Sequence, residues 1–268
     1  TAPVAALFAV MTKVGIYAIL RVYPLVFGDE AGELANLGMD WLFPIALATL
    51  AMGVIGALGS GSLKTLVAWQ VIISVGTLLA PISLGSEAGL SAALFYMLST
   101  TWTVGGLFLV SELIANQRGS ANDRIITAPR MHNRTFLSVL FLIGAVAAAG
   151  LPPLSGFIGK LLILQSVEPG FEMAWLWSVL LVGSFLTIIA YSRAGSIVFW
   201  RTVDGHLEKP DPLNGRISVA AGALTALAIV LVVFAGPITR YTDATAEQLH
   251  NNNAYIEILQ MPMVGEDD

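Results

Sequence analysis

"AAAGLPPLSGFIGKLLILQ", residues 147 to 165, sets two prolines and then a lysine inside an apolar run that holds no other charge between Arg134 and Glu168. Both features are costly in hydrocarbon. Proline removes a helix donor and its ring clashes with the preceding turn. A charged side chain near the bilayer centre costs about 2.5–3.5 kcal/mol on insertion scales. The stretch therefore predicts a helix broken near residues 150–156, at Pro152, Pro153, Ser155 and Gly156, with two half-helices joined by irregular backbone. Ser155 is the expected N-cap of the second half. Irregular backbone at membrane depth persists only where it packs in protein or lines a wet cavity, so the break and Lys160 together point to a functional site.

The rest of the chain is consistent with a lipid environment. Of its 268 residues 56% are hydrophobic and 12% charged, and the mean hydropathy is +0.78. These values describe an all-α, polytopic integral membrane protein rather than a soluble domain. The absence of cysteine excludes disulfides, iron–sulfur clusters and thiolate metal sites, and the three histidines fall in stretches that read as loops or tail. No cofactor and no metal are expected. The first residue is Thr1, and "TAPVAALFAVMTK" has neither the basic n-region nor the cleavage site of a signal peptide, so the expectation is that the native start lies elsewhere.

A spanning helix needs roughly 20 apolar residues. Windows of that length occur at about 3–27, 41–59, 64–84, 88–115, 135–167, 173–200 and 216–239, before a polar, acidic tail from 241. About seven transmembrane helices are expected, the fifth being the broken one. Charge in the connections alternates. Asp29, Glu30, Glu33, Asp40, Glu87, Glu168 and Glu172 follow the first, third and fifth segments without a basic residue. Lys64, Arg118, Arg124, Arg130, Arg134, Arg193, Arg201, Lys209 and Arg216 cluster after the second, fourth and sixth. The positive-inside rule places the basic set and the start of the chain in the cytoplasm and the acidic tail outside.

Two lysines belong to no loop. At about 1.5 Å of rise per residue, Lys160 lies roughly 12 Å from the boundary at Glu168 and Lys13 roughly 22 Å from Gly28. Snorkelling on a tilted helix is one reading. Proton carriage is the other, because a desolvated lysine can be switched by a neighbouring charge that arrives or leaves.

At this point the residues carry a resemblance. "MTKVGIYAILRVYPLVFG", "STTWTVGGLFLVSELIANQRG", "NDRIITAPRMHNRT" and "AAGLPPLSGFIGKLLILQ" resemble the MrpD-type subunit of Mrp-type multisubunit Na+/H+ antiporters, from the superfamily that includes the antiporter-like membrane subunits of respiratory complex I. The resemblance runs from the first residue to the sixth segment and covers only the second part of a family member. It implies that residues 1–28 are the last helix of a first repeat, 40–200 a second inverted five-helix repeat, 201–240 a cytoplasmic loop and closing helix, and 241–268 a tail. It further implies that Lys13 lies near the middle of a polar proton axis and that Lys160 terminates it. Ser99 stands where close relatives carry histidine. A hydroxyl does not titrate near neutrality, but Ser99, Thr100, Thr101 and Thr103 could hold a water chain between the lysines, or else bond back to their own helix.

Lys64 opens the third segment, where snorkelling and proton uptake are both open readings. Glu112, about one turn from Arg118, reads as a member of an interface ion pair, with a gate as the alternative. Tyr17, Tyr96, Trp102 and Tyr191 read as packing or interfacial residues. The functional expectation is a proton-translocating membrane subunit of a cation/proton antiporter in a prokaryotic plasma membrane. Its expected partners are other subunits, lipid, H+ and Na+, and not nucleic acid. The alternatives are a proton-pumping subunit of a quinone-linked oxidoreductase and a scaffold subunit that transports nothing.

Overall fold

The computed structural model describes residues 2–27, 32–34, 37–203 and 213–250; Asp29, Glu30, Lys209 and the tail from 251 lie outside them. In a solvent that offers no hydrogen bonds, apolar chain must satisfy its backbone internally, and helices do so within one segment. The described residues form α1 (Ala2–Phe27), α2 (Met39–Leu58), α3 (Leu63–Ser83), α4 (Glu87–Gln117), α5 (Arg134–Ala149), α6 (Ser155–Gln165), α7 (Phe171–Gly195), α8 (Gly215–Val233) and α9 (Ala235–His250). Five stretches among them are long and apolar enough to cross a membrane: Trp41–Leu58, Leu63–Ser83, Glu87–Gln117, Phe171–Trp200 and Gly215–Val233. The chain is an all-α, multi-pass membrane protein.

α4 is the axis of the bundle. It packs against α1, α3, α5, α6, α8 and α9, and 78% of its apolar window is buried against 22% for α8, which places α4 at the centre and α8 at the periphery. α2 and α3 form a close antiparallel pair in which glycine permits the approach: a Cβ on Gly76 would stand 2.5 Å from the Leu50 backbone nitrogen. Ser62 caps α3, accepting from Thr65 N at 3.2 Å, and Ser86 caps α4, accepting from Gly89 N at 3.1 Å.

The basic connections converge at one end. Leu63 N donates to Asp123 O at 2.8 Å and Ile125 N to Gly61 O at 2.9 Å, which docks the loop after α4 onto the start of α3. Arg118 stiffens that loop by donating to the carbonyls of Asn122, Arg124 and Ile126. A two-residue parallel pairing of Ala128–Pro129 with Thr202–Val203 ties the same loop to the segment after α7. Arg193 on α7 donates to Ser60 O at 2.7 Å.

Two expectations change. Hydropathy runs the last apolar segment on to 239, but α8 ends at Val233 and α9 begins at Ala235. Pro237 has no N–H for the Val233 carbonyl, so the ladder breaks and restarts with proline in the first turn. The polar stretch from 241 is helical as far as His250, with Ala246 and Leu249 buried. Ser91 on α4 fixes it, giving its proton to Asp243 Oδ1 at 2.5 Å with Thr242 Oγ1 beside it at 3.0 Å.

Candidate functional site

The broken helix builds a nest of oxygens for Lys160. α5 closes on Gly150 in the left-handed conformation (φ +79°), residues 151 to 154 are not helical, and α6 restarts at Ser155. Stopping α5 leaves its last carbonyls without intrahelical partners, at the end of the helix where the dipole favours a cation. Lys160, on the second turn of α6 and 6% exposed, turns back onto them. Its Nζ donates to Ala149 O at 2.8 Å and to Ser184 Oγ of α7 at 2.8 Å, with Ala148 O at 3.5 Å. Gly150 makes room for this path, because a Cβ there would lie 2.6 Å from Lys160 Cδ. Gly156 permits the two half-helices to approach, since a Cβ there would collide with Ala147 O.

Lys13 is buried to the same degree, 5% exposed, but is held differently. Its Nζ donates to Ser74 Oγ of α3 at 2.6 Å, and Ser74 gives its own hydroxyl proton to Val71 O at 2.6 Å. Neither lysine has a carboxylate partner among the described residues.

α3 supplies more of the site than sequence reading indicates. Gln70, Ser74 and Thr77 are all at most 1% exposed. Their spacing of four and three places them on one helix face. Gln70 Nε2 donates to Ala148 O at 3.4 Å, the carbonyl that also lies near Lys160. Thr77 shares a hydrogen bond with the Tyr96 hydroxyl, which also meets Thr100. The i, i+4, i+7 pattern of polar residues in "LVAWQVIISVGTLLA" is a usable signal for this face, in an otherwise apolar helix.

The hydroxyls of α4 are engaged elsewhere. Thr101 donates to Met97 O at 2.6 Å and Thr103 to Ser99 O at 2.8 Å, both within their own helix. Ser99 donates to Ser155 Oγ at 2.9 Å and so links α4 to the broken helix. Ser155 is thus the first residue of α6 rather than its cap: Leu154 occupies the cap position, without a side-chain bond. Its hydroxyl is buried in the contact with Ser99. Pro152 and Pro153 sit exposed in the break. Lys64 and Glu112 form an ion pair at 2.6 Å at the basic end, with side chains 38% and 20% exposed. Glu112 therefore pairs with Lys64 rather than with Arg118, which gives its protons to loop carbonyls. Tyr96, expected to be a packing residue, is a hydrogen-bonded member of the buried polar layer. Tyr191 is also buried, with its hydroxyl unpartnered, while Tyr17 is half exposed.

Residues 1–190 match the family model described as NADH:quinone oxidoreductase/Mrp antiporter, TM. The D-type subunit of a probable K(+)/H(+) antiporter from Rhizobium meliloti (strain 1021) is 35% identical to this chain, over 99% of it and 54% of that relative. The D-type subunit of the Na(+)/H(+) antiporter from Bacillus subtilis (strain 168) is 31% identical, over 96% of this chain and 51% of that relative. A chain in the Mrp complex from Dietzia sp. DQ12-45-1b shares the fold with a TM-score of 0.77 at 20% identity, covering 93% of this chain and 54% of that one. The chain spans about half the length of the curated relatives it matches. The family match runs unbroken from Lys13 through the broken helix and Lys160 into α7, and by it the chain belongs to the NADH:quinone oxidoreductase/Mrp antiporter transmembrane family.

Proposed function

We propose that this chain forms a proton-translocating part of an MrpD-like protein in a multisubunit antiporter, which exchanges protons for Na+ or K+ across a prokaryotic plasma membrane, and that Lys13 and Lys160 carry the protons. The observation that carries this reading is the pair of buried lysines held, among the described residues, by hydroxyl and carbonyl oxygens alone. A carboxylate partner would lock the ammonium, since loss of the proton would leave an unpaired buried charge. A serine hydroxyl serves both states: it accepts from an ammonium and can turn to donate to a neutral amine. Ser74 and Ser184 are placed for that exchange, while the Ala149 carbonyl favours the charged form of Lys160.

The same reading makes residues 1–28 the end of one repeat, 40–200 a second repeat, and 201–240 a loop and closing helix. The gathering of Lys64, Arg118, Arg124 and Arg193 at one end of the bundle supports a cytoplasmic position for that end. The relatives are named as subunits, so partner subunits, with H+ and Na+ or K+ as the transported ions, are part of the proposal. A second reading, a proton-pumping subunit of a quinone-linked oxidoreductase, is favoured by the other half of the family description. Partners carrying flavin and iron–sulfur clusters would identify it.

The test is ΔpH in everted vesicles bearing the whole assembly, on addition of Na+ or K+, with Lys160→Ala compared against the unsubstituted protein at matched assembly. Loss of exchange for both cations is expected. Exchange at the unsubstituted rate would make Lys160 a structural lysine and this chain a scaffold.

A further inference from the structure

Each lysine reaches α3, directly or through one carbonyl, and no hydrogen bond joins either of them to a hydroxyl of α4. Lys13 bonds Ser74, and one helical turn before it Gln70 bonds Ala148 O, the carbonyl 3.5 Å from Lys160 Nζ. Side chains at i and i+4 of a helix stand about 5–6 Å apart at Cβ, a gap that one or two water molecules span. Three of the four clustered α4 hydroxyls are engaged elsewhere. Thr101 and Thr103 give their protons to their own helix, and Ser99 gives its proton to Ser155.

Gln70 holds one feature that the packing does not explain. It is 1% exposed, its Nε2 is used, and its Oε1 is buried with no hydrogen-bond partner. A buried amide oxygen with no donor is a costly arrangement that native structures rarely tolerate unless the group serves a ligand or water. The site around it is polar: Ala148 O lies on one side and the Ser74 hydroxyl one turn away.

Resting on the proton-carrier reading above, we infer that the link between Lys13 and Lys160 runs along α3, with Gln70 as its positioning residue: its Oε1 receives a hydrogen bond from a water that joins the Ser74 and Ala148 ends of the path. The proton leaves one lysine Nζ, crosses by water, and arrives at the other lysine's neutral amine. Gln70 neither gains nor loses a proton. Its amide fixes the orientation of the water that does, by accepting at Oε1 and anchoring to the α5 terminus through Nε2.

The test uses cation-dependent ΔpH in everted vesicles bearing the whole assembly, at matched assembly level. Gln70→Met keeps length and volume but removes both polar atoms; a loss of about tenfold or more in rate is expected, the scale at which misplacement of a transfer partner acts. Gln70→Asn, which keeps the amide donor and acceptor and does not titrate, is expected to recover part of that loss, which a merely space-filling role would not allow. Thr103→Val, on the competing α4 route, is expected to leave the rate unchanged, and Gln70→Asn carries the test if Gln70→Met does not assemble. Three results overturn the inference: Gln70→Met at the unsubstituted rate, Gln70→Asn as inactive as Gln70→Met, or Thr103→Val inactive. If Lys160→Ala loses exchange while Gln70→Met keeps it, this inference alone fails. If Lys160→Ala also exchanges normally, the proton-carrier reading fails with it.

Discussion

Lys160 and Lys13 are equally buried, at 6% and 5% exposed, yet they are secured by different means. Lys160 is built into the fold: a helix is broken, a glycine takes positive φ, and oxygens from α5 and α7 meet the ammonium. Lys13 lies on an unbroken helix and, among the described residues, bonds a single serine. The difference teaches that depth alone does not define a membrane lysine's environment. One site is made by backbone that the fold cannot rearrange, and the other by a side chain that one substitution removes.

The comparison breaks most severely at the backbone of the Lys160 site. Gly156→Ala drives a Cβ into Ala147 O, and the half-helices cannot meet as they do. Loss of the assembled complex on blue-native gels is expected. Gly150→Ala forces an alanine to φ +79° and against Lys160 Cδ. It should cost on the order of 1–3 kcal/mol and displace Lys160, seen as lost exchange at reduced melting temperature. No glycine of the Lys13 helix has a comparable role: a Cβ on Gly15 meets nothing within 4 Å, so Gly15→Ala should be neutral in the same assays.

The next step removes one hydroxyl from each lysine. Ser74→Ala takes the one hydrogen-bond acceptor Lys13 has among the described residues and should destabilise by about 1–3 kcal/mol, the cost of a buried polar group left unpaired. Ser184→Ala leaves Lys160 the Ala149 carbonyl and should cost about 0.5–1.5 kcal/mol. Thermal unfolding of the purified assembly orders the two; the reverse order would remove the distinction between the sites. The smallest effect is expected far from both lysines. Lys64→Ala breaks an ion pair whose side chains are 38% and 20% exposed, worth about 0.2–1 kcal/mol at such exposure, with exchange retained.

Much of this is legible in the sequence. The broken helix follows from Pro152 and Pro153 within an apolar run, and the two lysines stand out by their distance to the nearest polar boundary. The resemblance points to the family, to which the match over residues 1–190 assigns the chain. Less legible are the groups that hold the lysines. Ala148 and Ala149 act through carbonyls, which every residue carries, so no side-chain pattern announces them. The hydroxyls of α4 stand out because four lie close together, but a count of hydroxyls does not reveal which carbonyl each one meets. Thr101 and Thr103 find their own helix. Gln70, Ser74 and Thr77 are visible as a helical stripe, yet none of them titrates near neutrality, so nothing in their chemistry singles them out beside the lysines. The end of α8 is hidden from hydropathy, which continues across Pro237 while the hydrogen-bond ladder does not.

The most direct test of the central claim is Lys160→Arg, assayed as cation-dependent ΔpH in everted vesicles bearing the whole assembly. Arginine keeps the charge and can donate to the same oxygens, but it does not release a proton in a protein. The predicted result is an assembled complex in which exchange is lost for both Na+ and K+. An assembled Lys160→Arg complex that exchanges at the unsubstituted rate would show that the charge at this position is structural, and would contradict the claim that Lys160 carries the proton.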